Sequence, residues 1–175
     1  FGDLGTLQAK DLLREEDGIW RVRFAKRRGN KPKVTVVEGQ TNQVAEMVSR
    51  LRWLTEDQNV RPEDIQVLVY YKIQIETLVA AVETARLPSV EGIHISTTKK
   101  DELLRKRGWL SISTVASAKG YDAFCVLLAN TNDFPTDIQG RASFYVACTR
   151  AIEYLEVFAA NRSGLVGEME QAVAA

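Results

Sequence analysis

Apolar residues along this chain fall into short dense runs separated by stretches with helical spacing. "DIQVLVYY" at 64–71 is nearly continuous in apolar character, the pattern of a strand buried on both faces of a parallel sheet. "KVTVVEG" (33–39), "GIHIS" (92–96), "WLSISTV" (109–115), "FCVLLAN" (124–130) and "YLEVFAA" (154–160) read as further strands. Between them the period changes. Val44, Met47, Val48, Leu51 and Leu54 form one helical stripe, with Thr41 or Asn42 placed to cap it. Residues 73–87 read as a second helix, the segment from Thr136 or Asp137 to about Ala151 as a third, and the tail from Asn161 as a closing helix. Alternating strands and helices predict an α/β domain, a mostly parallel sheet with helices on both faces. Such sheets bind ligands at the carboxyl ends of their strands.

The first 32 residues stand apart as a flanking segment, and 33–175 as one domain. Trp20, Val22 and Phe24 alternate with Arg21 and Arg23, which predicts a half-buried strand; "KRRGNKP" (26–32) reads as the turn after it, so this segment is expected to form a β-hairpin. With 175 residues, 45% of them apolar, the chain is long enough for one well-buried core and short for two. No apolar run approaches the roughly 20 residues a membrane span needs, and Phe1 opens no charged-then-apolar leader. A piece of a longer soluble polypeptide is expected, without membrane contact. Cys125 and Cys148 have no Cys or His at metal-ligand spacing, so a reduced, cytoplasmic protein without structural zinc is expected, with no metal ligands of its own.

Charge narrows the possible partners. Twenty-three basic residues balance twenty-three acidic ones, whereas a chain living on non-specific phosphate contacts gains from a basic excess. Nucleic-acid contact must therefore be local. Residues 18–37 hold seven Lys or Arg and no acid, and "KKDELLRKR" (99–107) holds five with two acids. The plainer account of both runs is a solvated face.

Chemistry concentrates in two segments. "STVASAKGYDAF" (113–124) puts Thr, Ser, Lys and Gly on a turn after a strand, where hydroxyls and backbone N–H groups can aim at phosphate oxygens and Gly allows close approach. Taken alone, it is also an ordinary Gly-supported turn with a solvated lysine. "RASFYVACTRA" (141–151) ends a helix on Thr149-Arg150, with Arg141, Tyr145 and Thr149 in an i, i+4, i+8 stripe. A helix-terminal Arg is favoured by the macrodipole in any case, and Tyr145 then reads as a core residue.

Together and in this order, the two segments resemble motifs V and VI of the UvrD/Rep-like superfamily 1 helicases, in the second of their two RecA-like motor domains. Against the family's T-x-H-S-A-K-G-L-E-F-x-x-V, Thr114, Ser117, Ala118, Lys119, Gly120 and Val126 match. Ala116 stands in place of the His, Asp122 in place of the Glu, and Ala123-Phe124 moves the aromatic along by one. Against R-x-x-x-Y-V-A/G-x-T-R-A, Arg141, Tyr145, Val146, Ala147, Thr149, Arg150 and Ala151 match, with Ala142 at a frequent second Arg. A third segment, 62–88, resembles a structural strand-helix-turn of the family. The resemblance implies a RecA-like fold and DNA contacts, to single strand or duplex, from Thr114, Ser117 and Lys119. It also implies that ATP with Mg²⁺, held mainly by an N-terminal RecA-like domain of the same polypeptide, meets Gly120, Asp122, Arg141 and Arg150. Arg150 would be the arginine finger, a catalytic role that stabilises charge on the transferring phosphoryl.

The sequence also excludes several chemistries. It contains no G-x-x-x-x-G-K-[ST] and no D-E-x-[QE] run after an apolar strand, so this chain alone is not expected to hydrolyse ATP. His94 is the sole histidine, which rules out a His-based metal cluster and leaves it a structural residue of "GIHIS". Two readings stay open: half of an ATP-driven DNA motor, or a helicase-like domain that has lost motor function and serves as an interaction or nucleic-acid-binding module. Ala116 and Asp122 motivate the second. A nucleotide-binding enzyme of ordinary doubly wound type is disfavoured, because no G-x-G-x-x-G follows a strand.

Overall fold

The computed structural model describes residues 13–16, 19–22, 30–97, 106–118 and 120–174. Six strands form one all-parallel sheet: β3 (Lys33–Val36), β4 (Ile65–Val69), β5 (Gly92–Ser96), β6 (Trp109–Thr114), β7 (Ala123–Leu128) and β8 (Ala151–Ala159). Their order across the sheet is β3-β8-β7-β4-β6-β5. Central β4 is buried at every position, as its nearly continuous apolar run predicts, Gln66 being its one polar residue.

Alternation along the strands sorts side chains onto two cores. Ile65, Val67, Val69, Leu110, Ile112, Cys125, Leu127 and Phe158 face α1 (Gln40–Arg52) and α2 (Gln74–Ala85), which contribute Val44, Met47, Leu51, Ile75, Leu78 and Val82. Leu68, Val126, Leu128, Leu155 and Val157 face the other way, onto α3 (Ile138–Cys148), α4 (Leu165–Ala174) and the β6–β7 connection through Val115 and Ala118. The expected architecture, an α/β sheet covered on both faces, is the one found.

Local details differ from expectation. Helix α1 starts at Gln40 behind Gly39, whose φ of 85° places it in the left-handed region that favours glycine. Neither Thr41 nor Asn42 caps it; the Asn42 amide instead donates to the Glu38 carbonyl at 2.9 Å. The helix continues into one wide π turn, Trp53–Asp57, closed by Gln58 N–H donating to the Trp53 carbonyl at 3.0 Å. Asp137 does cap α3, accepting from Gly140 N–H at 2.7 Å. The strand expected around Trp20 is present as β2 (Ile19–Val22), but it pairs antiparallel with the preceding β1 (Leu13–Glu16). The turn expected at 26–32 lies outside the described residues up to position 29.

One carboxylate is buried in the sheet. Glu156 of β8 is 0% exposed and sits opposite Lys33 in the register. Thr35 and Tyr154 hydroxyls donate to it, each at 2.5 Å, and Lys33 Nζ lies at 3.2 Å. Arg50 Nε approaches to 2.8 Å as an ion contact whose N–H is not aligned for a hydrogen bond. Two cations and two hydroxyls thus offset the cost of burying this charge. Burial, and then this carboxylate, push the Tyr154 hydroxyl's pKa up.

Candidate functional site

Helix α3 runs antiparallel to the strands it covers, so it begins at their carboxyl ends and delivers its last residues to their amino ends. Arg150, the residue before β8, therefore stands at the amino edge of the sheet. Asp122, the residue before β7, stands beside it. Ala123 N–H donates to the Arg150 carbonyl at 2.9 Å, and Arg150 Nη1 lies 2.8 Å from Asp122 Oδ1. Arg150 Nε donates to the Val146 carbonyl at 3.2 Å, satisfying an acceptor left open by the helix end. The Arg150 side chain keeps 21% of its surface exposed and Asp122 keeps 56%. Immediately beyond, the register slips: Ala123 pairs with Ala151, but Cys125 pairs with Tyr154, leaving β8 one extra residue. Such bulges re-aim a side chain or end the pairing, here directly next to Arg150.

The carboxyl edge is built differently. Thr114 ends β6, and its hydroxyl lies 2.9 Å from that of Ser117. The Thr114 carbonyl accepts from the N–H groups of Ser117 and Ala118, both at 3.1 Å. Residues Thr114 and Ser117 retain only 6% and 5% of their surface. Their hydroxyls are engaged in closing a turn, whereas Ala116 at its apex is exposed. That apex, with Val115 and Tyr70, forms one wall of a groove of about 530 Å³ whose other wall is Gln139, Ala142, Ser143 and Val146 of α3. Tyr70 is held by ring contacts to Tyr71 at 4.7 Å and Phe134 at 4.9 Å, and Phe134 in turn contacts Phe144 at 5.6 Å.

The residues singled out in the sequence thus divide between two edges. Asp122 and Arg150 meet at the amino edge; Thr114 and Ser117 meet at the carboxyl edge. Gly120, at φ 95°, supplies backbone freedom, and a Cβ there would meet nothing within 4 Å. Lys119 lies outside the described residues. Arg141 begins α3 and is not grouped with Arg150: about nine residues of helix separate them by roughly 13 Å. Its guanidinium pairs with Glu168 of α4, Nη2 to Oε1 at 2.8 Å, while Nε donates to the Thr136 carbonyl at 2.9 Å. Tyr145 is 70% exposed, which removes it from the core. Of the residues singled out in the sequence, the ionic pair Asp122 and Arg150 lies at the amino ends of the strands and the Thr114 and Ser117 hydroxyls at the carboxyl ends.

Tyr70, Gln139 and Ser143 were not foreseen as site residues. Tyr70 ends an apolar strand run, and Gln139 and Ser143 share a helix face only through the i, i+4 relation. Burial pushes both thiols, Cys125 and Cys148, up to about 12, so neither is a nucleophile near neutral pH. No group of metal-ligating side chains occurs among the described residues, and none of their helices is long and apolar enough to cross a membrane.

An all-parallel sheet wound on both faces, with an arginine delivered to its amino edge, defines an α/β domain consistent with the RecA-like class. No family model and no curated protein matches the chain. Among solved structures, it is similar to the C-terminal domain of a possible DNA helicase from Lactobacillus plantarum WCFS1. The TM-score is 0.62 and the identity 17%, over 83% of this chain and 84% of that one. At that identity the likeness is one of fold.

Proposed function

We propose that this chain is the C-terminal motor domain of an ATP-dependent, UvrD/Rep-like superfamily 1 DNA helicase. The carrying observation is the meeting of Asp122 and Arg150: the ends of the two segments singled out in the sequence come together at the amino edge, guanidinium against carboxylate. A planar guanidinium on a rigid helix end suits bidentate contact with phosphoryl oxygens. The Asp122 carboxylate, an anion 2.8 Å from Nη1, marks where such an oxygen fits. Bound between two motor domains, ATP with Mg²⁺ would supply the transferable phosphoryl group. This chain's part is then to bring Arg150 toward it from across the cleft and to exclude water there. The N-terminal RecA-like domain of the same polypeptide would hold the nucleotide. DNA, single-stranded or duplex, would run over the carboxyl edge, where the backbone around Ala116 and the Gln139 and Ser143 side chains line the groove. A cytoplasmic location goes with this role.

A second reading, a helicase-like module without ATPase activity, draws on the carboxyl edge. Thr114 and Ser117 are buried against each other, and Ala116 offers no side-chain donor. Single-stranded-DNA-stimulated ATPase of the full-length parent, wild type against Arg150→Ala, separates the two. The motor reading expects a loss of about 10³-fold or more with nucleotide binding retained. A parent without stimulated activity supports the module; activity surviving the mutation removes Arg150 from catalysis.

A further inference from the structure

Resting on the reading of Arg150 as a phosphoryl-directed arginine, a more specific role for Asp122 follows from the amino edge. The guanidinium is folded back on its own helix end: Nε donates to the Val146 carbonyl at 3.2 Å, and Nη2 lies 3.5 Å from Thr149 Oγ1. Nη1, one of the outer nitrogens through which a guanidinium meets an anion bidentately, is turned to Asp122 Oδ1 at 2.8 Å. The backbones of the two residues are fixed to each other by the hydrogen bond from Ala123 N–H to the Arg150 carbonyl. Asp122 is the more exposed partner, so water can receive its carboxylate once the guanidinium turns away. An ion pair that water reaches from its carboxylate side is weak, and a multiply charged phosphate can displace it.

We propose that Asp122 is a positioning residue for Arg150: its carboxylate holds the guanidinium in a parked orientation, and a phosphate group binds Arg150 in exchange for it. This makes Asp122 a competitor of the phosphate at Arg150. A nucleotide ligand at this position would instead lower affinity when removed.

The test uses the isotope-labelled 175-residue chain, with inorganic pyrophosphate as the probe and the Arg150 side-chain N–H resonances as the readout. In the wild type these resonances should show restricted guanidinium rotation, and pyrophosphate should shift them. Asp122→Asn, a near-isosteric change at an exposed side chain, should free the rotation and tighten pyrophosphate binding about two- to five-fold, the range expected for losing an exposed pair. Asp122→Glu keeps the charge and should restore both the restriction and the weaker binding. Unchanged rotation and affinity in Asp122→Asn would overturn the proposal. So would weaker binding in that variant, or pyrophosphate that leaves Arg150 unperturbed throughout. None of these readouts requires hydrolysis. A parent lacking ATPase activity would sink the motor reading while the parked pair stood, and an unaltered Arg150 signal would do the reverse.

Discussion

The two edges of the sheet handle polar groups in opposite ways. At the amino edge, Asp122 and Arg150 form an ion pair that water still reaches, the acid being the more exposed partner. At the carboxyl edge, the Thr114 and Ser117 hydroxyls are buried and complete a turn, so releasing them means opening that turn. One segment, 113–124, thus contributes a buried turn to one edge and a partly exposed acid to the other. A polar residue in a recognisable motif can therefore serve the ligand or the loop, and burial together with hydrogen-bond partners tells which.

Apart from the ATPase loss expected for Arg150→Ala, the largest effect should come from the element that serves both edges. A Cβ on Gly140 would stand 2.0 Å from the Pro135 carbonyl oxygen, so Gly140→Ala must displace α3 from the loop before it. We expect a loss of about 3 kcal/mol in urea unfolding, at the upper end of overpacking costs. An exposed helix glycine would instead gain roughly 0.5–1 kcal/mol from the same change. A stabilised variant would show that α3 is not held against Pro135, and the link between the edges would fail.

Thr114→Val should cost about 1–2 kcal/mol, because Ser117 keeps a buried hydroxyl without its partner. The loss should appear in stability while the parent's DNA affinity holds. Lower DNA affinity at unchanged stability would erase the contrast between the edges.

The smallest effect concerns Arg141, which joins α3 to α4. Hydrogen bonding and charge from Arg141 hold the Glu168 carboxyl below the usual glutamate value. A group depressed on folding contributes stability above its unfolded value, and that contribution disappears as pH falls through the folded value. Glu168→Gln should therefore cost slightly at neutral pH and nothing well below pH 4, read from thermal midpoints across that range. An equal cost at both pH values would show that charge is not what joins the two helices.

The strands were legible because a parallel sheet covered on both faces leaves its central strands few polar positions: β4 admits only Gln66, whose amide donates to the Ser113 hydroxyl of neighbouring β6 at 3.3 Å. Boundaries moved where local backbone decides them. Gly39 adopts a positive φ that no periodicity reveals, and it displaced the expected Thr41 or Asn42 cap. In α3, Arg141, Tyr145 and Thr149 do share a stripe, but that stripe faces solvent; Gly140 and Ala147 form the buried side. Small residues at a close helix contact carry little hydrophobic signal, so the buried face of α3 was not legible, and only the alternative account that put Tyr145 in the core is excluded. Glu156 was invisible for a different reason. Nothing within "YLEVFAA" announces that Lys33, Thr35 and Arg50, more than a hundred residues earlier, will converge on it. The division of site residues between two edges depends on the direction of α3 relative to the sheet, a property of topology that no short motif encodes.

One connection leaves the carboxyl edge and arrives at the amino edge. Between Thr114 and Ala123 the chain descends the height of a strand, roughly 20 Å. Two closed turns, Ala118 N–H to the Thr114 carbonyl at 3.1 Å and Tyr121 N–H to the Ala118 carbonyl at 3.0 Å, take up slack along the way. The segment is anchored in the core by Val115 and Ala118 and ends on the acid beside Arg150. The Thr114 turn and the acid beside Arg150 are thus the two ends of one short connection, so a residue inserted into it or removed from it would be felt at both edges at once.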